Sequence, residues 1–440
     1  MAQSPLRDGA VVVDGTRIVW VGPSDQADAG QHERLGECVL LPGLVNAHTH
    51  LELTGLRGFL EGLDFRDWLR ALTAVRAQVL SEADLLDAAR LGVSEALRAG
   101  ITTLADCSAS GVPLRAMRDA GVRGRVYLET FGPDPAQRDA SLRTLRTGVA
   151  RLQRDASALV TVGVSPHAPY TVSDALYAAV AEYARAESLT VATHIAESAA
   201  ETAFVREGTG PFADRLRARG IAVQGTGQSS IAWMERTGLL DTSLLLIHAI
   251  HADAADIARV AAYGAGVVHC PISNAKLGQG IAPVRAMRAA GIAVGLGSDS
   301  VASNDAMDLV QEARQAVLLQ SLQAGVPDAL SALEALDMAT RGSARALGMA
   351  DVGVLAPGAP ADLCAFSLDA PEAAPVYDPT VLLVHVLGAG RQARLTMVDG
   401  AVRVRDGVVL GEDPAVRTRV CAAAERVAAW TRREHAAAEL

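Results

Sequence analysis

Two histidines one residue apart, His48 and His50, are the first sign of chemistry in this chain. Residues two apart in an extended strand project to the same face, so both imidazoles can aim at one point. Further along come His194 with Glu197 three residues on, then His248 and His251, then His269, and finally the carboxylate of Asp299. Imidazole and carboxylate are donors that suit zinc, iron and similar divalent ions, and a catalytic site of this kind keeps a position open for water. Such an ion brings the pKa of water from about 15.7 towards ~7, which makes hydroxide available at neutral pH. A lone histidine at a strand end is more often a hydrogen-bonding group, and His251 and His269 suit that plainer description. A lone Ser-Asp-Ser after a strand is equally well a helix cap. The ordered set is different: an HxH pair, a histidine, a second histidine and an aspartate point together to a metal centre.

These residues share a setting. Eight short apolar runs occupy 41–50, 100–107, 125–132, 159–167, 189–197, 243–251, 265–273 and 292–300, and seven of the ten histidines lie at or near the ends of such runs. Ala/Leu/Arg-rich stretches of helical character separate most of them, with Ser81 (Asp84 three on) and Ser173 as N-caps. Eight strand–helix units in roughly 300 residues predict an α/β fold, a closed (β/α)8 barrel rather than a doubly wound sheet, with its strand ends facing one cavity. The two ends of the chain read differently. Asp14-Gly15, Asp399-Gly400 and Asp406-Gly407 each sit between β-branched runs, a hairpin signal because both turn positions tolerate positive φ. The expected domains are a flanking β-sandwich built from both termini (1–40 and 351–412), a catalytic barrel (41–350) and a closing helix (413–440).

Composition narrows the function. With 50 acidic against 40 basic side chains the net charge is −10, which argues against a nucleic-acid binder and leaves a small molecule as the expected partner. Half the residues are apolar and 4% aromatic, enough for a large aliphatic core. The five cysteines are scattered, odd in number and without a CxxC pair, so neither a disulfide framework nor a zinc knuckle is expected. No apolar run approaches the ~20 residues that span a bilayer, and the start lacks the pattern of a signal peptide. A cytoplasmic, soluble, reduced protein with no membrane partner is the simplest expectation.

The segments LPGLVNAHTHLE, SPHAPYTVS, THIAES, HAIHAD, HCPISNAKLGQGIAPV and GLGSDSVASNDAMDL together resemble the amidohydrolase superfamily. The closer resemblance is to its cytosine/adenosine-type deaminases and s-triazine hydrolases, and it runs through nearly the whole chain. It implies the barrel with a flanking β-sandwich, one divalent metal (zinc or iron) per chain, and a homodimer. On this resemblance His48, His50, His194 and Asp299 are the metal ligands, Asp299 also accepts the water proton, His248 steadies the hydroxide, and Glu197 shuttles a proton to the ring nitrogen. His167 is a substrate contact near the departing group, and Arg57 and Ser303 complete the expected substrate-binding set. Other members hold two metals bridged by a carboxylated lysine on the fourth strand. The single lysine here, Lys276, follows the seventh run while the fourth ends in SPHAP, so one metal is expected. The PCxxC half of the HxE and PCxxC pattern of the base-editing zinc deaminases does not occur.

The reaction implied is hydrolytic deamination of an aromatic N-heterocycle, with the ring nitrogen protonated as ammonia leaves. Some triazine hydrolases lack the Glu or Asp retained here, which favours an amine leaving group. The segment around GTGPF (208–212) and the compact loop after His50 resemble 6-aminodeoxyfutalosine deaminases of menaquinone biosynthesis, the favoured substrate assignment. The alternatives are S-adenosylhomocysteine or methylthioadenosine deamination, s-triazine or cyclic-amide hydrolysis, and a non-catalytic scaffold. Arg57, Arg66 and Arg70 can pair with a substrate carboxylate, while solvated arginines on an amphipathic helix explain two of them equally well. Lys276 reads as a solvated loop charge or a contact at the cavity rim. The first β segment is short for the family, which places the expected start of translation upstream.

Overall fold

The computed structural model describes residues 5–28, 30–387 and 390–438. Two β layers precede the barrel in sequence: a hairpin of β1 (Gly9–Asp14) and β2 (Arg17–Pro23), then β3 (Cys38–Pro42). Eight parallel strands follow, β4 (Leu44–Thr49), β5 (Ile101–Ser108), β6 (Arg123–Thr130), β7 (Val160–Pro166), β8 (Val191–Ile195), β9 (Leu244–His248), β10 (Gly266–His269) and β11 (Val294–Leu296). Each falls within or overlaps one of the eight apolar runs, and each pairs only with its sequence neighbours. The two ends of this sheet meet at a parallel bridge between Thr49 and Asp299, where the Asp299 N–H donates to the His48 carbonyl at 3.0 Å. A (β/α)8 barrel results.

Closure depends on a missing side chain. A Cβ on Gly297 would stand 2.9 Å from the His48 Cβ and 2.9 Å from Val268 Cγ2, closer than packed carbons tolerate. Glycine there lets β11 approach β4 and brings the ends of both strands to one point. Inside the barrel Val45, Tyr127, Leu245, Ile247 and Val268 fill the space beneath the mouth.

The flanking layer is a five-stranded antiparallel sheet in the order β15 (Val408–Val409), β14 (Ala401–Arg405), β13 (Leu395–Val398), β12 (Leu363–Ser367), β3. Its β3–β12 pair joins the two ends of the chain, and Val11 and Val13 of the hairpin pack on Leu363, Ala365 and Leu395 to make the sandwich. At Asp399-Gly400 and Asp406-Gly407 both residues take left-handed φ (51° and 78°; 47° and 78°), as a two-residue hairpin turn requires. The first hairpin departs from the expectation. Asp14 pairs with Arg17 as a strand residue, and the turn falls one position later, on Gly15 (φ 56°) and Thr16.

Ser81 and Asp84 form the expected reciprocal cap on the helix Glu82–Arg98. Ser173 precedes the helix Asp174–Ala186, but its hydroxyl caps nothing; its N–H is drawn instead to the Gly132 carbonyl at 2.9 Å. The closing helix, Val416–Ala438, is tied to Glu82–Arg98 by Arg419 on Asp87 (2.6 and 2.9 Å) and Arg426 on Asp84 (2.5 Å). Among the described residues no helix is long and apolar enough to cross a membrane.

Candidate active site at the barrel mouth

Parallel strands in a barrel deliver their C-terminal residues to one end, and there the structure gathers His48, His50, His194, His248 and Asp299. The Asp299 Oδ1 atom lies 3.2 Å from His48 Nε2 and 3.7 Å from His50 Nε2, while Asp299 Oδ2 lies 3.9 Å from His248 Nε2. The His48 ring meets the His194 ring edge-on at 5.0 Å, and His50 stacks on His194 at 5.4 Å. Three groups of donor atoms fall within 4.8 Å of one another: His48 with His194 and His248, His48 with His50 and Asp299, and His50 with Glu129 and His194.

Outer hydrogen bonds choose the tautomers. His50 Nδ1 lies 2.8 Å from the Cys107 carbonyl and His194 Nδ1 3.1 Å from the His167 carbonyl. A carbonyl only accepts, so both Nδ1 atoms carry the proton and both Nε2 atoms keep a lone pair. Both His48 ring nitrogens are buried without a hydrogen-bond partner. Burial, reinforced by the neighbouring imidazoles, pushes His194 well below its ordinary value and lowers His50 as well. Burial opposes the charge on Asp299, but His48, His248 and His50 hold its carboxyl well below the usual range. Imidazoles whose burial disfavours protonation, two of them with Nε2 lone pairs left free by their outer hydrogen bonds, set beside a carboxylate are the donor set a divalent ion needs, so the residues fit a metal.

The backbone bends to arrange them. His248 (φ 72°), Ala249 (φ 48°), Ala196 (φ 51°) and Asp299 (φ 58°) all adopt the left-handed region that non-glycine residues avoid. Strain of this kind clusters at functional sites, held by surrounding contacts. Those contacts are visible. Ser273 Oγ donates to Asp299 Oδ2 at 2.6 Å, and the Ser300 N–H donates to Oδ1 at 2.7 Å. His248 Nδ1 is fixed on Asn274 Oδ1 at 2.9 Å, which turns its Nε2 towards Glu197 Oε1 at 3.6 Å. Glu201 accepts from the N–H groups of Ala196 (2.7 Å) and Glu197 (3.1 Å), setting the turn that presents Glu197. Burial, with Asp299 and Glu201 nearby, raises the Glu197 carboxyl well above its ordinary value.

His167 is half-buried at the rim, its Nδ1 2.8 Å from Thr171 Oγ1 and its ring between those of Phe131 (5.0 Å) and His194 (4.8 Å). Arg57 is placed elsewhere, in an ion pair with Glu95 on the barrel's outer helix, with no site residue among its hydrogen-bond partners. Ser303 is buried, 2.8 Å from Ser273 Oγ and 3.4 Å from Asp299 Oδ2, so it braces the carboxylate. Arg66 and Arg70 are exposed on the helix Phe65–Gln78. Lys276 ends the helix Pro271–Lys276 after β10, and its ammonium binds Glu61 and Asp305 at the rim. No lysine lies on β7. His251 faces solvent, whereas His269 is fully buried under the mouth with neither ring nitrogen bonded.

Four contributors escaped the sequence reading: Ser273 and Asn274, which support Asp299 and His248; Glu201, which shapes the Glu197 turn; and Glu129 at the end of β6. The first two lie inside the ISNAKL segment, so a signal existed there. Glu129, in VYLETFG, carries no local pattern.

Comparison with known proteins agrees with this architecture. The profile of the amidohydrolase family matches residues 39–412. A curated relative, the 5-methylthioadenosine/S-adenosylhomocysteine deaminase of Halobacterium salinarum, is 35% identical over 431 residues, covering 96% of this chain and 95% of the relative. Among solved structures, a zinc-bound adenosine deaminase from Xanthomonas campestris is 30% identical with a TM-score of 0.86, covering 96% of this chain and 94% of that one. Zinc-complexed atrazine chlorohydrolase from Arthrobacter aurescens TC1 is 26% identical with a TM-score of 0.81 and covers 96% of each chain. The Helicobacter pylori aminofutalosine deaminase, at 22% identity and a TM-score of 0.77 over 91% of this chain and 96% of that one, shares the fold. The chain belongs to the amidohydrolase family.

Proposed function

We propose that this chain is a metal-dependent hydrolytic deaminase of adenine nucleosides, with 5-methylthioadenosine and S-adenosylhomocysteine as its first candidate substrates. The observation that carries the reading is Glu197: a buried carboxyl, raised well above its ordinary value, 3.6 Å from His248 Nε2 at the edge of the histidine cluster. A carboxyl whose protonated form is favoured by burial beside one whose ionised form is favoured by its imidazole neighbours is the division of labour that acid–base catalysis needs.

His48, His50, His194 and Asp299 are the residues that would hold the ion. When bound, a single zinc or iron ion supplies Lewis acidity and an activated water at neutral pH. Asp299, braced by Ser273 and the Ser300 N–H, accepts the proton of the attacking water. His248, locked by Asn274, holds that oxygen in line with the ring carbon. Glu197 delivers its proton to the adjacent ring nitrogen, so charge does not accumulate on the purine as ammonia leaves, and it recovers a proton from the new hydroxyl as the carbonyl forms. His167 lines the rim on the side of the departing group.

The naming of the relatives supports methylthioadenosine and S-adenosylhomocysteine. The 6-aminodeoxyfutalosine reading, with its place in menaquinone biosynthesis, rested on the GTGPF segment and the compact first loop. In the fold that segment has a structural explanation: Gly208 (φ 68°) caps one helix, Pro211 opens the next, and Phe212 stacks on Tyr170 at 3.9 Å. It remains the second substrate to test.

Ammonia release from metal-reconstituted protein would be measured on methylthioadenosine, S-adenosylhomocysteine, 6-aminodeoxyfutalosine, adenosine, guanine and cytosine, with Glu197→Gln as control. Turnover of an adenine nucleoside, lost in the variant, is expected. Silence across the panel from protein carrying one metal per chain would overturn the deaminase reading and turn attention to triazines and cyclic amides.

A further inference from the structure

Glu129 stands near the end of β6, buried with 9% of its surface exposed, and its Oε1 atom has no hydrogen-bond partner. Burying an acceptor that binds nothing costs about 1–3 kcal/mol, so such a group calls for a reason. Its carboxylate groups with the donor nitrogens of His50 and His194, all within 4.8 Å. Glu197, in contrast, borders His248. Two carboxyl groups therefore flank the cluster, one on the His50/His194 side and one on the His248 side.

His50 and His194 give the Glu129 oxygen no hydrogen: their Nδ1 protons are already spent on the carbonyls of Cys107 and His167. Nor is it answered from its own strand neighbourhood, where β6 pairs with β7 in the register Glu129–Ser165 and Thr130–Pro166 and leads directly to His167. Among the described residues no donor reaches this sealed oxygen, and the groups it gathers with are the site's own imidazoles. The carbon attacked in a 6-aminopurine carries two nitrogens, the ring nitrogen and the exocyclic amine. The ring nitrogen needs a proton, which the proposed role of Glu197 supplies; the amine offers N–H donors, which the unpartnered Oε1 of Glu129 can accept.

We propose that Glu129 accepts a hydrogen bond from the exocyclic amine and so selects nitrogen over halide as the leaving group. This deepens the deaminase reading and rests on it. In the reaction the carbon–nitrogen bond breaks with its electron pair passing to nitrogen, and water supplies the new carbon–oxygen bond. The proton that nitrogen gains comes from the attacking water by way of Asp299, so Glu129 gains no proton overall. Its role is to orient the amine and strengthen its hold as positive charge develops there. A chloride at the same carbon offers no N–H and draws nothing from Glu129.

The test compares kcat/KM for a 6-amino nucleoside and its 6-chloro analogue in wild type, Glu129→Gln and Glu129→Ala, with metal content and thermal unfolding of each. The expected result is a loss of about 10²-fold on the 6-amino substrate, the scale of one preorganised hydrogen bond in an active site, with the chloro rate changed about threefold or less. Calorimetry in the inactive Glu197→Gln background gives a readout without turnover: adding Glu129→Gln should weaken the 6-amino ligand and spare the 6-chloro ligand. Equal losses on both substrates, no loss on either, or loss of the metal with the side chain would each overturn the proposal. A wild type that deaminates no 6-amino nucleoside would instead overturn the function itself and the proposal with it.

Discussion

The Asp299 N–H donates to the His48 carbonyl at 3.0 Å while His48 Nε2 faces Asp299 Oδ1 at 3.2 Å, so one pair of residues both closes the barrel and forms one edge of the ligand cluster. Fold closure and site assembly are the same event here. Gly297 is the residue that permits it, because a Cβ would stand 2.9 Å from the His48 Cβ. Gly297→Ala is expected to destabilise the protein by about 1–3 kcal/mol through overpacking, and to weaken metal binding with it. Thermal unfolding and metal content, measured together, check this; a variant less stable but with unchanged metal affinity would separate the two roles.

Ser273 has no chemistry of its own in this account; it orients Asp299 through a 2.6 Å hydrogen bond. A hydrogen bond to a charged group contributes about 1.5–3 kcal/mol, so Ser273→Ala should lower kcat about ten- to a hundredfold. Metal content and KM should change little. A variant with wild-type kcat would show that the Ser300 N–H and Ser303 Oγ suffice to hold the carboxylate.

The barrel was legible because parallel strands buried on both faces read as continuous apolar runs, and all eight were found that way. The ligand candidates were legible because they sit at the ends of those runs. The supporting shell was not. Glu201 reaches back to the N–H groups of Ala196 and Glu197 from a helix, a relation set by a tight turn rather than by spacing. Arg57 meets Glu95 only because the first loop folds over the helix Glu82–Arg98, a tertiary contact that sequence proximity does not announce. At the first hairpin, Asp14-Gly15 marked a turn correctly but not its register, since Gly15 with Thr16 satisfies the turn as well.

Stability should depend on pH through Glu312. Its carboxyl is buried, accepts from the Ile272 N–H at 3.2 Å and from Asn304, and burial pushes it up to about 8. The folded protein therefore holds a proton that the unfolded chain releases near the ordinary value of 4.5, and stability falls as pH rises until the folded form titrates. His167 and His269, pushed down to about 3 by burial, act in the opposite sense, but their effect is complete above the unfolded value of 6.5. Between pH 7 and 8 the unfolding free energy should fall by up to about 1.4 kcal/mol per pH unit. Chemical denaturation at pH 7.0, 7.5 and 8.0 measures it; Glu312→Gln should make the slope shallower, leaving the share carried by other buried carboxyls such as Glu197 and Glu201, and an unchanged slope would assign it elsewhere.

Glu201→Ala would leave the N–H groups of Ala196 and Glu197 without their acceptor inside a buried turn. The expected cost is about 1–3 kcal/mol of stability. Displacement of Glu197 should also lower kcat more than it raises KM. Steady-state kinetics on the best adenine nucleoside would reveal the split, and a loss confined to KM would mean that Glu201 shapes binding rather than proton delivery.

The most direct test of a one-ion deaminase is a titration. Metal-free protein would be given increasing equivalents of zinc or ferrous iron, and deamination of the best adenine nucleoside followed at each step. The account predicts negligible activity without metal, a linear rise and a sharp break at one ion per chain, with His194→Ala abolishing the rise. A break at two ions per chain, or turnover that survives complete removal of metal, would contradict it.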